Sequence, residues 1–354
     1  MIFFMSDIHL GVKLPNKDFM ESLEYAFQII QNHEEACECI MICGDLFDRL
    51  LNVDELMFAS KFIMKLAFNN LGRDHIKHVP VHIIEGTFSH DRGQMKIFEQ
   101  LLSKIPSVSV SYFKTWTKVI LPSGKTALYL PQEYGDVDYT EAFKGSYDLI
   151  IGHGPISSKT TTVVTSHGTE IMHSVEMLSN ISKLCVFGHY HEYTDFGNDV
   201  YYTGSMLRFR YGEDTDKVFF LCRDDMTVEV IKNPIAREFK TFEIHNPEEL
   251  RGMLSNEIDT PHRFVIHPKT DGELQTYHAI MNTTKVNQNI KFKVVSSEEP
   301  IVEELVQQET HDVDKSSSIE DPVPSLIAYI NDKYDMDVAE EIHEYESKIQ
   351  KEDR

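Results

Sequence analysis

Three shortages mark this chain. Cysteine is scarce, with five in 354 residues at Cys37, Cys39, Cys43, Cys185 and Cys222. An odd count without framework spacing excludes a disulfide scaffold. Each cysteine sits in or beside an apolar run, so all read as reduced core residues of a cytoplasmic protein. Long apolar runs are missing: nothing reaches the 18 residues that would suggest a membrane span, and no membrane association is expected. Met1-Ile2-Phe3-Phe4-Met5 lacks a basic flank and leads directly into Asp7, so it reads as a strand rather than a signal peptide. Positive charge is also short: 34 Lys and Arg face 57 Asp and Glu, a net −23. Nucleic acids are held mainly by Lys and Arg neutralising phosphates. A chain this acidic must hold a polyanion through local basic patches, through metal ions or jointly with a partner.

What the chain does have is polar chemistry at the ends of short apolar runs. Met1–Met5, Cys39–Cys43, Val79–Ile84, Leu149–Ile151 and Leu184–Phe187 read as strands buried on both faces. They lead into Asp7-Ile8-His9, Gly44-Asp45-Leu46-Phe47-Asp48, Ser89-His90-Asp91, Gly152-His153-Gly154 and Gly188-His189-Tyr190-His191. In open α/β sheets ligands bind beyond the carboxyl ends of strands, so five such motifs can converge on one crevice. Gly86, Gly152 and Gly188 suit the turns that would aim them. Asp and His together are the ligand inventory of a two-metal hydrolase. Two cations ~3.5–4 Å apart need a bridging carboxylate and terminal ligands. Asp45 is the candidate bridge, and His90 the candidate acid for a leaving oxygen. Imidazole with carboxylate suits Mn²⁺, Fe²⁺ or Zn²⁺ better than Ca²⁺ or Mg²⁺. A single His at a strand end is most often structural; five ordered motifs are not.

These motifs resemble those of the calcineurin-like metallophosphoesterases, whose pattern runs Asp-x-His, Gly-Asp-x-x-Asp, Gly-Asn-His-Asp/Glu, His and Gly-His-x-His. Within that group the chain is most similar to SbcD-type nuclease subunits of double-strand-break repair complexes, including phage versions. That similarity rests on Asp7-Ile8-His9-Leu10-Gly11, Gly44–Asp48, the long span between the third and fourth motifs, and Tyr202-Thr203-Gly204-Ser205. The resemblance implies a four-layer α/β/β/α sandwich with a small α/β capping domain and a C-terminal helical extension. It implies one Mn²⁺ held by Asp7, His9, Asp45 and His191, and a second by Asp45, position 89, His153 and His189. His90 would be the general acid, oriented by Asp91, with Asp48 a carboxylate behind the ligands. It further implies 3′→5′ exonuclease and endonuclease activity on DNA, a homodimer, an SbcC-like coiled-coil ATPase partner, and a prokaryotic or phage-infected cytoplasm.

The third motif departs from the pattern, since Gly86-Thr87-Phe88-Ser89-His90-Asp91 has no Asn. Holding the His-Asp pair fixed aligns Ser89 with it. Two readings stand: Ser89 or a water fills the position with a weaker second metal, or the site has degraded. The first is preferred because no Asp or His is lost. Arg49, Arg92, Arg208 and Arg210 lie near motifs and are candidate DNA contacts, each equally readable as a surface ion pair. Ser157–Thr162 reads as a loop over the cleft. His33, His75, His78, His167 and His245 lack motif context and read as surface residues.

The chain divides into a phosphoesterase body at 1–235, a small α/β unit at 236–296, an acidic linker at 297–322 and a helical partner-binding segment at 323–354. The linker reading rests on nine acids against Lys315 alone over 296–321. In the last segment Leu326, Ile327, Ile330, Tyr334, Val338, Ile342, Tyr345 and Ile349 make an apolar stripe. It could dock on its own body or on the ATPase. Two rival functions remain: a phosphoesterase of phosphoproteins or nucleotides, suggested by Gly44–Asp48 followed by Arg49, and a scaffold that has lost its metals.

Overall fold

Strand formation follows from the short runs of Ile, Val, Phe, Met and Cys, whose uninterrupted apolarity suits burial on both faces. The computed structural model describes residues 1–295 apart from 73–77, 106, 158–160, 166–167, 257, 259 and 284–289. The expected acidic linker at 297–322, the helical segment at 323–354, and His75 and His167 lie outside the described residues. In chain order the body runs β1 (Ile2–Met5), α1 (Asn16–Asn32), β2 (Cys39–Cys43), α2 (Val53–Ala67), β3 (Val81–Ile84), α3 (Phe88–Asp91), α4 (Met95–Leu102) and β4 (Val110–Phe113). It continues through β5 (Thr117–Ile120), β6 (Thr126–Leu130), α5 (Thr140–Phe143), β7 (Tyr147–His153), β8 (Ile156–Ser157), β9 (Thr161–Thr165), β10 (Gly168–Ser174) and α6 (Val175–Ile181). It closes with β11 (Ser182–Gly188), β12 (Thr194–Asp195), β13 (Val200–Tyr202), β14 (Val218–Cys222) and β15 (Val228–Lys232).

The fold is mixed α/β. One six-stranded sheet has the order β15-β14-β1-β2-β3-β4, and a second has β12-β13-β11-β7-β6-β5. In the first, β1 to β4 are parallel, β14 runs against them, and β15, antiparallel to β14, runs with them again. Period-two alternation sorts each strand's side chains to opposite faces. Ile2, Phe4, Met41 and Cys43 of the first sheet share a core with Tyr129, Leu149, Ile151 and Val186 of the second. The alternate residues Phe3, Met5, Ile40 and Ile42 pack with Phe19, Leu23, Phe62 and Ile63 from α1 and α2. On the second sheet, Leu128, Ile150, Cys185 and Phe187 pack with Ala142 of α5 and Leu178 of α6. The helix α2 starts at a capping box: Asn52 accepts from the Glu55 backbone and Glu55 returns the bond.

Among the described residues a separate compact unit comprises Arg210–Asp214 and the chain from Arg237 to Val295. It holds β16 (Lys240–Ile244), α7 (Pro247–Leu254), β17 (His262–Ile266), α8 (Asp271–Thr283) and β18 (Ile290–Val294). Its three strands are parallel, and Ile244, Leu250, Phe264 and Tyr277 form its core. The loop expected over Ser157–Thr162 is in part strand, at β8 and the start of β9. His78 is buried at 5 % exposure, with Nδ1 2.5 Å from the Asn69 carbonyl, where the sequence suggested a surface residue. No helix among the described residues is long and apolar enough to cross a membrane.

Candidate metal centre

Parallel strands deliver their carboxyl ends to one edge, and the motifs begin there. Asp7 and His9 follow β1, Asp45 and Asp48 follow β2, and α3 after β3 carries His90. From the second sheet, His153 ends β7, and His189 and His191 follow β11. Asp7, His9 and Asp45 take left-handed φ values of 48°, 51° and 48°. Such values cost non-glycine residues energy and collect at functional sites. Two glycines are demanded by close approach rather than by φ. A Cβ on Gly86 would lie 2.2 Å from the Asp45 backbone nitrogen, and one on Gly188 would lie 1.9 Å from Ser6 Oγ.

The ligand atoms converge in three overlapping groups. Asp7, His9 and His191 form one, Asp7, Asp45 and His153 another, and His9, Asp48 and His90 the third, each with its atoms within 4.8 Å of one another. His9 Nε2 lies 3.1 Å from His191 Nε2. Two imidazole nitrogens that close can share only one proton, and a cation between them suits their lone pairs better. His153 Nε2 is 3.3 Å and His9 Nε2 3.8 Å from Asp45 Oδ2. This is a donor set for divalent transition metals, and the residues present fit such ions.

Backbone groups orient the rings. His153 Nδ1 is 2.7 Å from the Cys43 carbonyl, which leaves Nε2 to face Asp45. His9 Nδ1 lies 3.4 Å from Asp48 Oδ1, so Asp48 stands behind His9. The His191 carbonyl accepts from Lys217 Nζ at 2.7 Å and from the Ser205 backbone at 3.1 Å. The His189 backbone donates to Asp7 Oδ1 at 3.1 Å. Its ring meets that of His153 edge-on, centroids 5.4 Å apart, and stands outside the three groups.

The buried groups shift one another's titration. Burial would raise the Asp45 carboxyl, but His153, then His9 and His90, hold it below the usual range. Burial would lower His153; the Asp45 charge wins and lifts it to about 9. His189 is pushed down to about 4, chiefly by burial, and stays neutral. Asp91 rises to about 7 through burial and the nearby Asp45.

Several expected roles change. Asp91 does not orient His90: its carboxylate accepts from the Phe47 backbone at 3.0 Å and the Gly86 backbone at 2.7 Å. The buried Asp91 instead ties the second motif to the third, while His90 Nδ1 sits on the Asp48 carbonyl. The described hydroxyl contacts of the third motif are made by Thr87, not Ser89. Thr87 donates its backbone N–H to Asp45 Oδ1 at 2.6 Å, and its Oγ1 lies 3.3 Å from Asp45 Oδ2 and 3.4 Å from His153 Nε2. The sequence signal was present in Gly86-Thr87, but fixing the alignment on His90-Asp91 hid it. The turn of α3 takes up the two extra residues.

The arginines diverge as well. Arg208 is 7 % exposed, and its guanidinium donates to the carbonyls of Ala236 and Thr215, both at 2.9 Å. It is a structural arginine, not a surface contact for DNA. Arg49 forks onto Glu55 at 2.7 and 2.8 Å and reaches the Gly11 carbonyl. Arg92 is exposed, with φ 45°. Arg210 belongs to the separate unit and lies 3.5 Å from Glu213.

Compared with known families, residues 1–193 match the model of the calcineurin-like phosphoesterases. No curated protein matches the chain.

Proposed function

Because the chain belongs to the calcineurin-like phosphoesterases, a family of metal-dependent hydrolases, we propose that it is a two-metal DNA nuclease, cutting phosphodiesters with Mn²⁺. The observation that carries the hydrolytic chemistry is the convergence of Asp7, His9, Asp45, His153 and His191 into groups of metal-donor atoms, with His90 beside them. The cations, when bound, supply positive charge for the phosphoryl oxygens and lower the pKa of a water. The residues do the rest. Asp45 faces both His9 and His153 and would be the ligand common to both cations. His90 has Nδ1 engaged by the Asp48 carbonyl, so Nε2 is the atom that carries a proton to a leaving oxygen. His189 completes the second position as a neutral imidazole.

DNA as substrate, 3′→5′ polarity and an SbcC-like ATPase partner in break repair rest on the resemblance of the motifs. So do a homodimer, a cytoplasmic setting, the four-layer sandwich and the capping role of the 236–296 unit. The helix-flanked parallel sheet of that unit is compatible with such a cap. The net charge of −23 supports a jointly held substrate over one bound by this chain alone.

End-labelled linear duplex DNA incubated with Mn²⁺ tests the reading, with His90→Asn alongside. Label should be released by the unaltered protein and fall about 10²–10⁴-fold in the variant at unchanged metal content. Metal binding without cleavage, with or without the ATPase, but with hydrolysis of a phosphopeptide, would transfer the assignment to a phosphatase.

A further inference from the structure

In a site built of Asp and His, the third motif leaves one neutral oxygen ligand unaccounted for, and the neighbours of Thr87 show where it comes from. Thr87 Oγ1 lies 3.1 Å from Gln132 Oε1 as well as 3.3 Å from Asp45 Oδ2. A hydroxyl carries one proton, so it can satisfy only one of these two acceptors. Thr87 Oγ1, Gln132 Oε1, Asp45 Oδ2 and His153 Nε2 thus gather round one small space.

Gln132 is held there by its own chain. It follows Leu130, the last residue of β6, and Pro131, and its backbone N–H donates to the Glu85 carbonyl at 3.3 Å. Its Cγ and Cδ lie 3.7 and 3.9 Å from where a Cβ on Gly154 would stand, one residue past His153. The carboxamide thus enters the His153 end of the cluster from a strand of the second sheet, 45 positions after Thr87.

We propose that Thr87 and Gln132 together replace the missing asparagine, with the Gln132 carboxamide oxygen and the Thr87 hydroxyl supplying the neutral donors of the second cation position. This rests on the two-metal reading above. It assigns to the chain an amide ligand that no motif at the third strand contains. Because the donor pair is drawn from two sheets and both members are uncharged, the second position binds its ion more weakly than the Asp7, His9 and His191 position. Loading is stepwise.

Mn²⁺ titration followed by calorimetry and electron paramagnetic resonance reads this out without any substrate. The unaltered protein should bind two ions with separable affinities, and an exchange-coupled dinuclear signal should appear with the second. Gln132→Leu and Thr87→Val should each weaken the second ion about 10-fold or more and remove the coupled signal, leaving the first ion unchanged. Gln132→Glu should tighten the second ion, which keeps the test decisive if the leucine variant fails to fold. Two ions bound with unaltered affinities in all three variants would overturn the donor assignment. Fewer than two ions in the unaltered protein would instead overturn the two-metal reading itself.

Discussion

Acid should destabilise the body through His173, and replacing that one side chain should remove a defined share of the effect. His173 is 4 % exposed, and its ring is walled by Tyr139, Phe143 and Phe187 at centroid distances of 5.9, 5.8 and 6.0 Å. Its Nδ1 has no hydrogen-bond partner among the described residues. Burial pushes its pKa down to about 4, against an ordinary value of 6.5. A depressed folded-state pKa means that the unfolded chain takes the proton first. The stability is therefore complete above about pH 6.5 and is lost as pH falls from there toward 4. Between pH 8 and pH 5 this amounts to about 2 kcal/mol, approaching about 3 kcal/mol below pH 4. Phe at 173 keeps an aromatic ring of similar size among three others and should cost less than about 1.5 kcal/mol at pH 8. Urea unfolding in chelator, at both pH values, gives the double difference between the two proteins. His173→Phe should lose about 2 kcal/mol less than the unaltered chain on going to pH 5. Parallel losses in the two proteins would refute the argument.

Gly188→Ala places a methyl group 1.9 Å from Ser6 Oγ and 2.2 Å from the Cys43 carbonyl, so it should destabilise by about 3 kcal/mol and lower metal content together. Calorimetry and elemental analysis check the two effects. Arg208→Ala should cost about 2 kcal/mol in urea unfolding, since the buried Ala236 carbonyl and the partly buried bond to Thr215 lose a charged donor, while DNA affinity of the folded protein stays unchanged.

Much of the site was legible because the relevant signals are local. Apolar runs such as Cys39–Cys43 specify buried strands, and the polar residues that follow must emerge at the sheet's edge. The helices of the body carry a local signal too: at helical spacing, Phe19, Leu23 and Ile30 mark the buried face of α1, and Phe62, Ile63 and Leu66 that of α2. What stayed hidden depends on contacts between distant residues. Nothing around Arg208 says that two carbonyls will claim its guanidinium. Asp91 beside His90 looks like its partner, yet the left-handed turn at Asp45 and the close approach of Gly86 bring backbone N–H groups to it first. Gln132 has no motif at all, and only the pairing of β6 with β7 carries it toward His153.

Among the described residues the two sheets share no hydrogen-bonded strand pair; they meet through side chains such as Phe4, Met41, Tyr129 and Val186 and through a few bonds beside the site, such as His153 Nδ1 to the Cys43 carbonyl. Yet the donors are divided between them, with Asp7, His9 and Asp45 on one and His153 and His191 on the other. A bound ion would therefore add a cross-brace between the two slabs, beside the few hydrogen bonds that already join them there. Its affinity becomes a strain gauge for their docking, and a methyl group deleted from the apolar seam would register as weaker ion binding with no ligand altered.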